Sequence, residues 1–173
     1  MGSALARRST NRGSSTLAAD GGRLDHALSF LRLLWAVDHG MRTLSKAMRT
    51  RHGVTGPERL LLRMVGCHPS SSAGSVARLL HLHPSSITGT LERLVRRGLL
   101  ERGADPDDRR RAVLRLTHRG RLLVRLRSGT VEAAVLEVLQ DLSREEILLI
   151  QSVLRSLARG LERQTSAAAR PRR

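Results

Sequence analysis

The apolar residues in the first half of the chain return every three or four positions and predict four helices. The first is long, covering residues 24–51, and Gly53 after it is a typical helix terminator. Three shorter helices are predicted at residues 57–66, 72–80 and 84–97. The last two are joined by only a few residues, so they are expected to be close neighbours in space.

Residues 99–117 follow a different period. Residues 99–102 and 112–116 are short strand candidates, and the stretch 103–108 between them is dense in turn residues. Two strands joined in this way are predicted to form a β-hairpin.

The C-terminal third of the chain again has helical spacing. A fifth helix is predicted over residues 118–139, weakened or bent at Gly129, and a capping-box pattern begins a sixth over residues 143–163. Residues 1–22 and 165–173 lack periodicity and are predicted to be disordered tails, the second of them basic. The fold is therefore expected to be mainly α-helical, with about six helices and one small β-hairpin.

Charge and composition narrow the function. Lys and Arg total 31 against 15 Asp and Glu, which gives a net charge of +16. Such a surplus favours nucleic acid or an anionic membrane surface as a partner. An aromatic content of 1% argues against proteins that bind single strands by base stacking. A single cysteine, no signal-peptide pattern and no apolar run of roughly 18 residues predict a cytoplasmic protein.

Three short helices followed by a hairpin are the arrangement of a winged helix-turn-helix, in which the last of the three helices enters the major groove of DNA. The apolar stripe of that helix leaves small hydroxyl side chains and one cation on its other face, after a histidine in the cap position that could reach a phosphate. The candidate DNA contacts on this helix are His83, Ser85, Ser86, Thr88, Gly89, Thr90 and Arg93. An ordinary amphipathic helix with a solvated face is the alternative.

The tip of the predicted hairpin carries three aspartates and three arginines, so its local charge is zero. Phosphates would repel an acidic loop unless its carboxylates were already paired. We therefore expect Asp108 to form an internal ion pair or to cap the turn, and so to direct an arginine outward. A guanidinium held in this way fits a narrow minor groove. Asp108, Arg109 and Arg110 are the candidate contacts here, and a solvated turn of mixed charge is the alternative.

The middle of the chain resembles the MarR family of bacterial transcription regulators. The resemblance is carried by residues 75–102, by residues 105–117, where aspartates and arginines precede a strand that ends in Leu-Thr, and by Arg119-Gly120. It implies an intertwined homodimer in which the first, fifth and sixth helices form the dimer base and two winged lobes straddle a pseudo-palindrome. It also implies that Asp108 and Arg110 occupy the Asp-x-Arg positions of the wing, with Arg110 in the minor groove.

The resemblance further implies a role and a division of the chain. Members of the family mostly repress transcription, and many release DNA when a small, often phenolic or anionic ligand binds between lobe and dimer base. A DNA-binding lobe is then expected at residues 54–117, and dimerisation segments at residues 23–53 and 118–164. The family's recognition-helix contacts fall on Ser85, Ser86, Thr88 and Arg93. Gly89 stands where relatives commonly carry arginine or another long polar side chain.

The first two helices contain a candidate effector site. A ring, an imidazole and a guanidinium could hold an aromatic acid. The candidate residues are Trp35, His39, Arg63 and Met64. Trp35 also belongs to the apolar stripe of the first helix, and a place in the core of the dimer is its simpler interpretation.

Other chemistry is weakly indicated by the sequence. Cys67 is interpreted as a core or near-surface thiol and not as a redox switch, and the histidines do not complete a four-ligand set, so neither a metal nor another cofactor is expected. No phosphate-binding loop or Ser/His/Asp constellation points to an enzyme. The rival function is that of a sequence-independent DNA architectural protein, which the net charge and the arginine-rich tails would also suit.

Overall fold

The computed structural model describes residues 13–105 and 112–168, which form seven helices and a two-stranded antiparallel sheet. This result confirms the prediction of a mainly helical fold with a small hairpin. In chain order the elements are α1 (Gly13–His52), α2 (Gly56–Cys67), α3 (Ala73–Leu79), α4 (Pro84–Arg96), β1 (Leu100–Ala104), β2 (Ala112–Leu116), α5 (His118–Val124), α6 (Val131–Leu139) and α7 (Arg144–Ala168).

Side chains that accept backbone N–H groups set the starts of the short helices. The capping box predicted at α2 is present, because the Thr55 side chain accepts from Glu58 N–H at 3.3 Å and the Glu58 carboxylate accepts from Thr55 N–H at 2.9 Å. Ser72 caps α3 and His83 caps α4 in the same sense. These caps satisfy N–H groups that a helix leaves without partners in its first turn.

The hydrophobic core lies between α2, α3, α4 and the base of the hairpin. Its fully buried members come from each of these elements: Val54, Leu61, Leu62, Val65, Val76, Ala77, Ile87, Leu91, Leu94, Leu99, Leu100 and Leu114. Each buried leucine or valine stabilises the lobe by about 1.5–3 kcal/mol. The outward face of α4 is therefore fixed by the side chains on its inward face.

The hairpin is attached to this core at its base. Leu100 pairs with Leu116 at one end of the ladder and Ala104 with Ala112 at the other. Leu114 also donates its N–H to the carbonyl of Ser71 at 2.9 Å, which joins the loop before α3 to the edge of β2. This arrangement confirms the winged helix-turn-helix fold.

The junction between β2 and α5 depends on a glycine. A Cβ at Gly120 would lie nearer to the carbonyl oxygen of Leu99 than the 3.0 Å that Cβ atoms keep from other heavy atoms. Gly120 N–H also donates to the Thr117 hydroxyl oxygen at 3.1 Å, and that hydroxyl donates to the carbonyl of Gly98 at 2.8 Å. The start of α5 is thereby pressed against the start of the hairpin.

Two parts of the sequence-based assignment differ from the structure. α1 begins at Gly13 and α7 ends at Ala168, so helix extends into both segments predicted to be tails. Such alanine- and serine-containing ends carry no apolar stripe, but they can continue a helix that is already nucleated. The helix predicted over residues 118–139 is two helices, α5 and α6, separated by a turn in which Gly129 has a φ of +65°.

Large apolar faces remain uncovered in the single chain. Neither α6 nor α7 has a buried residue, and α1 exposes a series of large apolar side chains between Leu24 and Met41. Trp35 is 77% exposed, Leu149 65% and Leu136 60%. Contiguous apolar surface of this kind marks an interaction site. None of the described helices is both long enough and apolar enough to cross a membrane.

Candidate nucleic-acid interface

The outward face of α4 carries the polar residues that the sequence singled out. Ile87, Leu91 and Leu94 are at most 3% exposed and turn one side of the helix into the core. The candidate contacts lie exposed on the helix or at its start, and Thr90 alone among them is half-buried. The exposed ones are His83, Ser85, Ser86, Thr88, Gly89 and Arg93.

The first turn of α4 is organised by His83. Its Nδ1 accepts from Ser85 N–H at 3.4 Å and lies 2.7 Å from the Ser85 hydroxyl oxygen. A ring nitrogen that accepts a backbone N–H is unprotonated, so the neutral ring carries its proton on Nε2. The exposed imidazole can therefore donate from Nε2 to a phosphate oxygen while its other nitrogen caps the helix.

Two residues in the middle of this face, Thr88 and Gly89, offer fewer side-chain hydrogen-bond donors to DNA than a polar recognition helix usually does. The Thr88 hydroxyl donates to the carbonyl of Pro84 at 2.8 Å, so its hydrogen is used within the helix and its oxygen remains an acceptor. A Cβ at Gly89 would meet no atom within 4 Å. The surface at Gly89 is therefore open, and another backbone could approach it closely.

Arg93 is not a free cation, contrary to the simplest interpretation of the sequence. Its Nε donates to Oε1 of Glu58 at 3.2 Å, and its Nη2 donates to the Thr90 hydroxyl at 3.1 Å. One turn later Arg97 donates from Nη1 to Oε2 of Glu58 at 3.3 Å and from Nη2 to the carbonyl of Gly53. A single carboxylate at the start of α2 therefore holds two guanidinium groups of the α4 region.

Glu58 is only 1% exposed, and its position in the sequence pattern indicated no more than a capping role. Burial opposes its ionisation, but the hydrogen bonds from Thr55 and Arg93 and the charge of Arg97 outweigh that effect. The pKa of Glu58 is lowered from its ordinary value as a result. The carboxylate is therefore ionised at neutral pH and pairs with both arginines.

Residues 106–111 lie outside the described residues, and with them the three candidate contacts of the wing, Asp108, Arg109 and Arg110. The strands that lead to them are described. Arg102 and Arg115 are exposed on the two strands, and the Arg115 guanidinium would lie 3.2 Å from a Cβ placed at Gly103. The hairpin thus adds cations to the lobe before its tip is reached.

A buried arginine joins the lobe to the C-terminal helices. Arg59 of α2 is 1% exposed, and its Nε lies 3.0 Å from the Glu132 carboxylate of α6. Its terminal nitrogens donate to carbonyls at the end of α5 and just beyond it, those of Leu123, Val124 (3.4 Å) and Leu126 (2.7 Å). Sequence reasoning missed this group because its partners lie 64–73 residues away.

The four candidate effector residues have different surroundings. Trp35 and His39 are exposed on α1. Arg63 donates from Nη1 to the Val124 carbonyl at 3.2 Å, and Met64 packs against the core of the lobe. Arg63 and Met64 thus have partners within the fold, whereas no side chain among the described residues encloses Trp35 and His39.

A different concave site lies between the α3–α4 turn and the second half of α7. This cleft, of about 1080 Å³, is lined by apolar side chains and by several charged or polar ones, among them Arg78, His83, Ser86, Arg155 and Glu162. None of the four candidate effector residues lines it.

Cys67 at the end of α2 is exposed, so of the two interpretations given to it the surface thiol holds and the core thiol does not. A search of residues 13–105 and 112–168 finds no group of three or more His, Cys, Asp or Glu side chains that could hold a metal ion.

Comparison with known proteins identifies the fold. Residues 52–111 match the model of the MarR family. PcaV from Streptomyces coelicolor is 27% identical, with a TM-score of 0.57 over 73% of this chain and 89% of its own. CouR from Rhodococcus jostii RHA1 is 25% identical, with a TM-score of 0.60 over the same shares. FabT from Streptococcus pneumoniae is 25% identical, with a TM-score of 0.55 over 83% of this chain and 98% of its own. No sequence match was found among curated proteins.

These findings agree with the geometry described above. The family match covers the helices, the turn and the first strand of the lobe, and the structural matches extend over the helices on both sides of it. Residues 52–111 are thus similar to the MarR family, and the fold around them is the winged helix-turn-helix fold of the MarR-type structures compared above.

Proposed function

We propose that this protein is a DNA-binding transcriptional regulator, which acts as a homodimeric repressor and binds a pseudo-palindromic operator in a sequence-specific manner. Helix α4 of each copy enters a major groove, and the wing reaches the flanking minor groove with Arg110. The observation that carries the proposal is the outward face of α4. Its small polar side chains and the tethered Arg93 stand on a helix whose other face is fully buried.

The uncovered apolar faces support the dimer. α1 exposes large apolar side chains between Leu24 and Met41, α6 exposes leucine and valine, and α7 exposes leucines, a valine and Ile150. Within a single chain nothing described covers them. A second copy of this chain would bury these faces against the same faces of its partner, as a two-fold interface does. We therefore assign residues 54–117 to the DNA-binding lobe and the flanking helices to dimerisation.

The fixed orientation of the positive charge on α4 favours sequence-specific binding over the architectural alternative. A sequence-independent binder needs cations at phosphate spacing but no fixed orientation. Here the cation of the α4 face is held by two hydrogen bonds to protein groups. A guanidinium of fixed direction can distinguish a guanine edge from other bases, whereas a freely moving one follows the phosphates.

A selection experiment tests this proposal. Purified protein is mixed with random DNA duplexes, and the bound fragments are enriched until one selected duplex emerges. Binding to the selected duplex is then measured at near-physiological salt with a large excess of bulk DNA. We expect a two-fold related motif whose binding survives the excess. Loss of all binding in bulk DNA would refute sequence-specific recognition and favour the architectural function.

A response to a small effector is part of the proposal. PcaV has been solved in complex with its natural ligand and CouR bound to p-coumaroyl-CoA. In this chain the cleft between the α3–α4 turn and α7 is lined by His83 and Ser86, which belong to the proposed DNA face. An anionic or aromatic compound in that cleft would compete with DNA. Trp35 fluorescence, titrated with a panel of aromatic acids, tests the alternative site on α1.

A further inference from the structure

The buried carboxylate of Glu58 stands behind the DNA-reading face and touches that face through Arg93. We propose that Glu58 is a positioning residue for DNA recognition, which fixes the direction in which α4 presents the Arg93 guanidinium. This inference rests on the proposed function, because it concerns how the same face distinguishes one sequence from another.

The geometry forms a continuous chain of contacts from the start of α2 to the face of α4. Oε2 of Glu58 accepts from Thr55 N–H at 2.9 Å and so is held by the backbone of its own helix. Oε1 accepts from Arg93 Nε at 3.2 Å, and Arg93 Nη2 donates to the Thr90 hydroxyl at 3.1 Å. The guanidinium is thus fixed at two of its nitrogens and by two different elements.

These contacts leave Arg93 with free donors for hydrogen bonds to DNA. A guanidinium has five N–H donors, and the two hydrogen bonds use one on Nε and one on Nη2. The Nη1 donors and the second donor of Nη2 remain, on a side chain that is 48% exposed. The side chain of Glu58, by contrast, is only 2% exposed, so the carboxylate holds the arginine from within the protein.

Arg97 adds a second constraint on the same helix. It joins the other carboxylate oxygen at 3.3 Å and also donates to the carbonyl of Gly53, at the end of α1. Arg93 and Arg97 are one helical turn apart, so the two ion pairs fix both the rotation of α4 about its axis and its distance from α2. The cluster of one carboxylate and two guanidinium groups keeps a net charge of +1, which faces outward.

A merely structural carboxylate and a positioning carboxylate predict different results. Loss of a structural group weakens all DNA binding in proportion to the loss of folded protein. Loss of a positioning group frees a cation, so binding to phosphates is retained or strengthened while base discrimination falls. The ratio of the Kd for a random duplex to the Kd for the selected duplex separates these cases.

The experiment compares the full-length protein with Glu58→Gln, Arg93→Gln and the double variant on both duplexes over a range of salt concentrations. We expect Glu58→Gln to lower the Kd ratio about tenfold, the effect of one lost directed contact. The Kd for the random duplex should stay constant or tighten, and its salt dependence should steepen. In the Arg93→Gln background the Glu58→Gln change should leave the Kd ratio equal to that of Arg93→Gln alone, because Glu58 acts through Arg93.

Glu146 provides a matched control. It occupies the same third position of a capping box, at the start of α7, where its carboxylate accepts from Ser143 N–H at 2.8 Å, and no arginine pairs with it among the described residues. Glu146→Gln should leave the Kd ratio unchanged. Glu58→Asp keeps the negative charge at the start of α2 and withdraws it from Arg93, so it tests the same effect if Glu58→Gln folds poorly.

The outcomes are distinguishable. An unchanged Kd ratio in Glu58→Gln and Glu58→Asp, or an equal fall of the ratio in the Arg93→Gln background, would overturn the positioning role while the proposed function stands. A wild-type protein with no preference for any duplex would overturn both.

Discussion

The close approach of α5 to the hairpin gives a quantitative prediction for Gly120→Ala. The new Cβ would overlap the carbonyl oxygen of Leu99 and lie 3.2 Å from Cδ2 of Leu116. Leu99 is 2% exposed, and its carbonyl accepts from Thr117 N–H at 3.3 Å, so it cannot move without disturbing the core and that hydrogen bond. Overpacking of this kind costs about 1–3 kcal/mol, and the weakened hydrogen bond about 1 kcal/mol more.

The helical preference of alanine offsets at most about 1 kcal/mol of this cost. We therefore expect Gly120→Ala to lower the free energy of unfolding by about 1–3 kcal/mol and Tm by roughly 2–12 °C. Urea denaturation followed by circular dichroism, at a single protein concentration for all variants, measures the change.

Gly89→Ala is the matched control for this substitution. Gly89 also lies in a helix, but a Cβ there meets nothing within 4 Å. The same change should therefore stabilise the protein by about 0.5–1 kcal/mol through helix preference alone. A Gly120→Ala variant as stable as the wild type, or a Gly89→Ala variant destabilised as much as Gly120→Ala, would refute the close-contact reasoning.

Four further predictions follow from the contacts described above. Arg59→Ala leaves the Glu132 carboxylate without its cation and removes one donor from each of the carbonyls of Leu123, Val124 and Leu126, so it should cost about 3–5 kcal/mol in urea unfolding; a loss below 1 kcal/mol would contradict the buried pairing. Because the pKa of Glu58 is lower in the folded state, its stabilising effect is complete above its ordinary pKa near 4.5 and is lost as the pH falls through the folded value, so the stability difference between wild type and Glu58→Gln should shrink steadily as the pH is lowered below 4.5. Arg110→Ala should weaken binding to the selected duplex by about 1–3 kcal/mol in a mobility-shift titration, and unchanged affinity would remove the wing from the interface. Leu149→Glu places a charge on the exposed apolar face of α7 and should shift the protein to single copies in sedimentation, whereas an unaltered mass would exclude that face from the dimer.

Short-range signals in the sequence were sufficient for the frame of the lobe. The Thr55 and Glu58 pair, the apolar stripe of α4 and the two strands of the hairpin depend on residues within a few positions of one another, and each is present among the described residues. The apolar side of α4 faces the core and its polar side faces outward, as its periodicity predicted, because hydrophobic burial determines the orientation of a short amphipathic helix.

Long-range contacts were beyond the reach of pattern reasoning. Arg59 belongs to a polar position of α2, and only its partners 64–73 residues later explain why a charged side chain is fully buried. Arg93 was correctly placed on the exposed face, but its attachment to Glu58, 35 residues earlier, could not be deduced from spacing. Trp35 shows a different limit, since an apolar stripe does not reveal whether it is covered by its own chain or by another.

The guanidinium of Arg59 makes the connection between the lobe and the C-terminal helices rigid. It grips the end of α5, the turn beyond Val124 and the carboxylate of Glu132 together, from inside the protein. A swing of the lobe about residues 125–130 would pull a charged group away from all of these partners at once. We therefore expect the lobe, α5 and the first turn of α6 to move as one rigid body. In the proposed homodimer the distance between the two α4 helices would then be set by the segment where α6 is followed by α7.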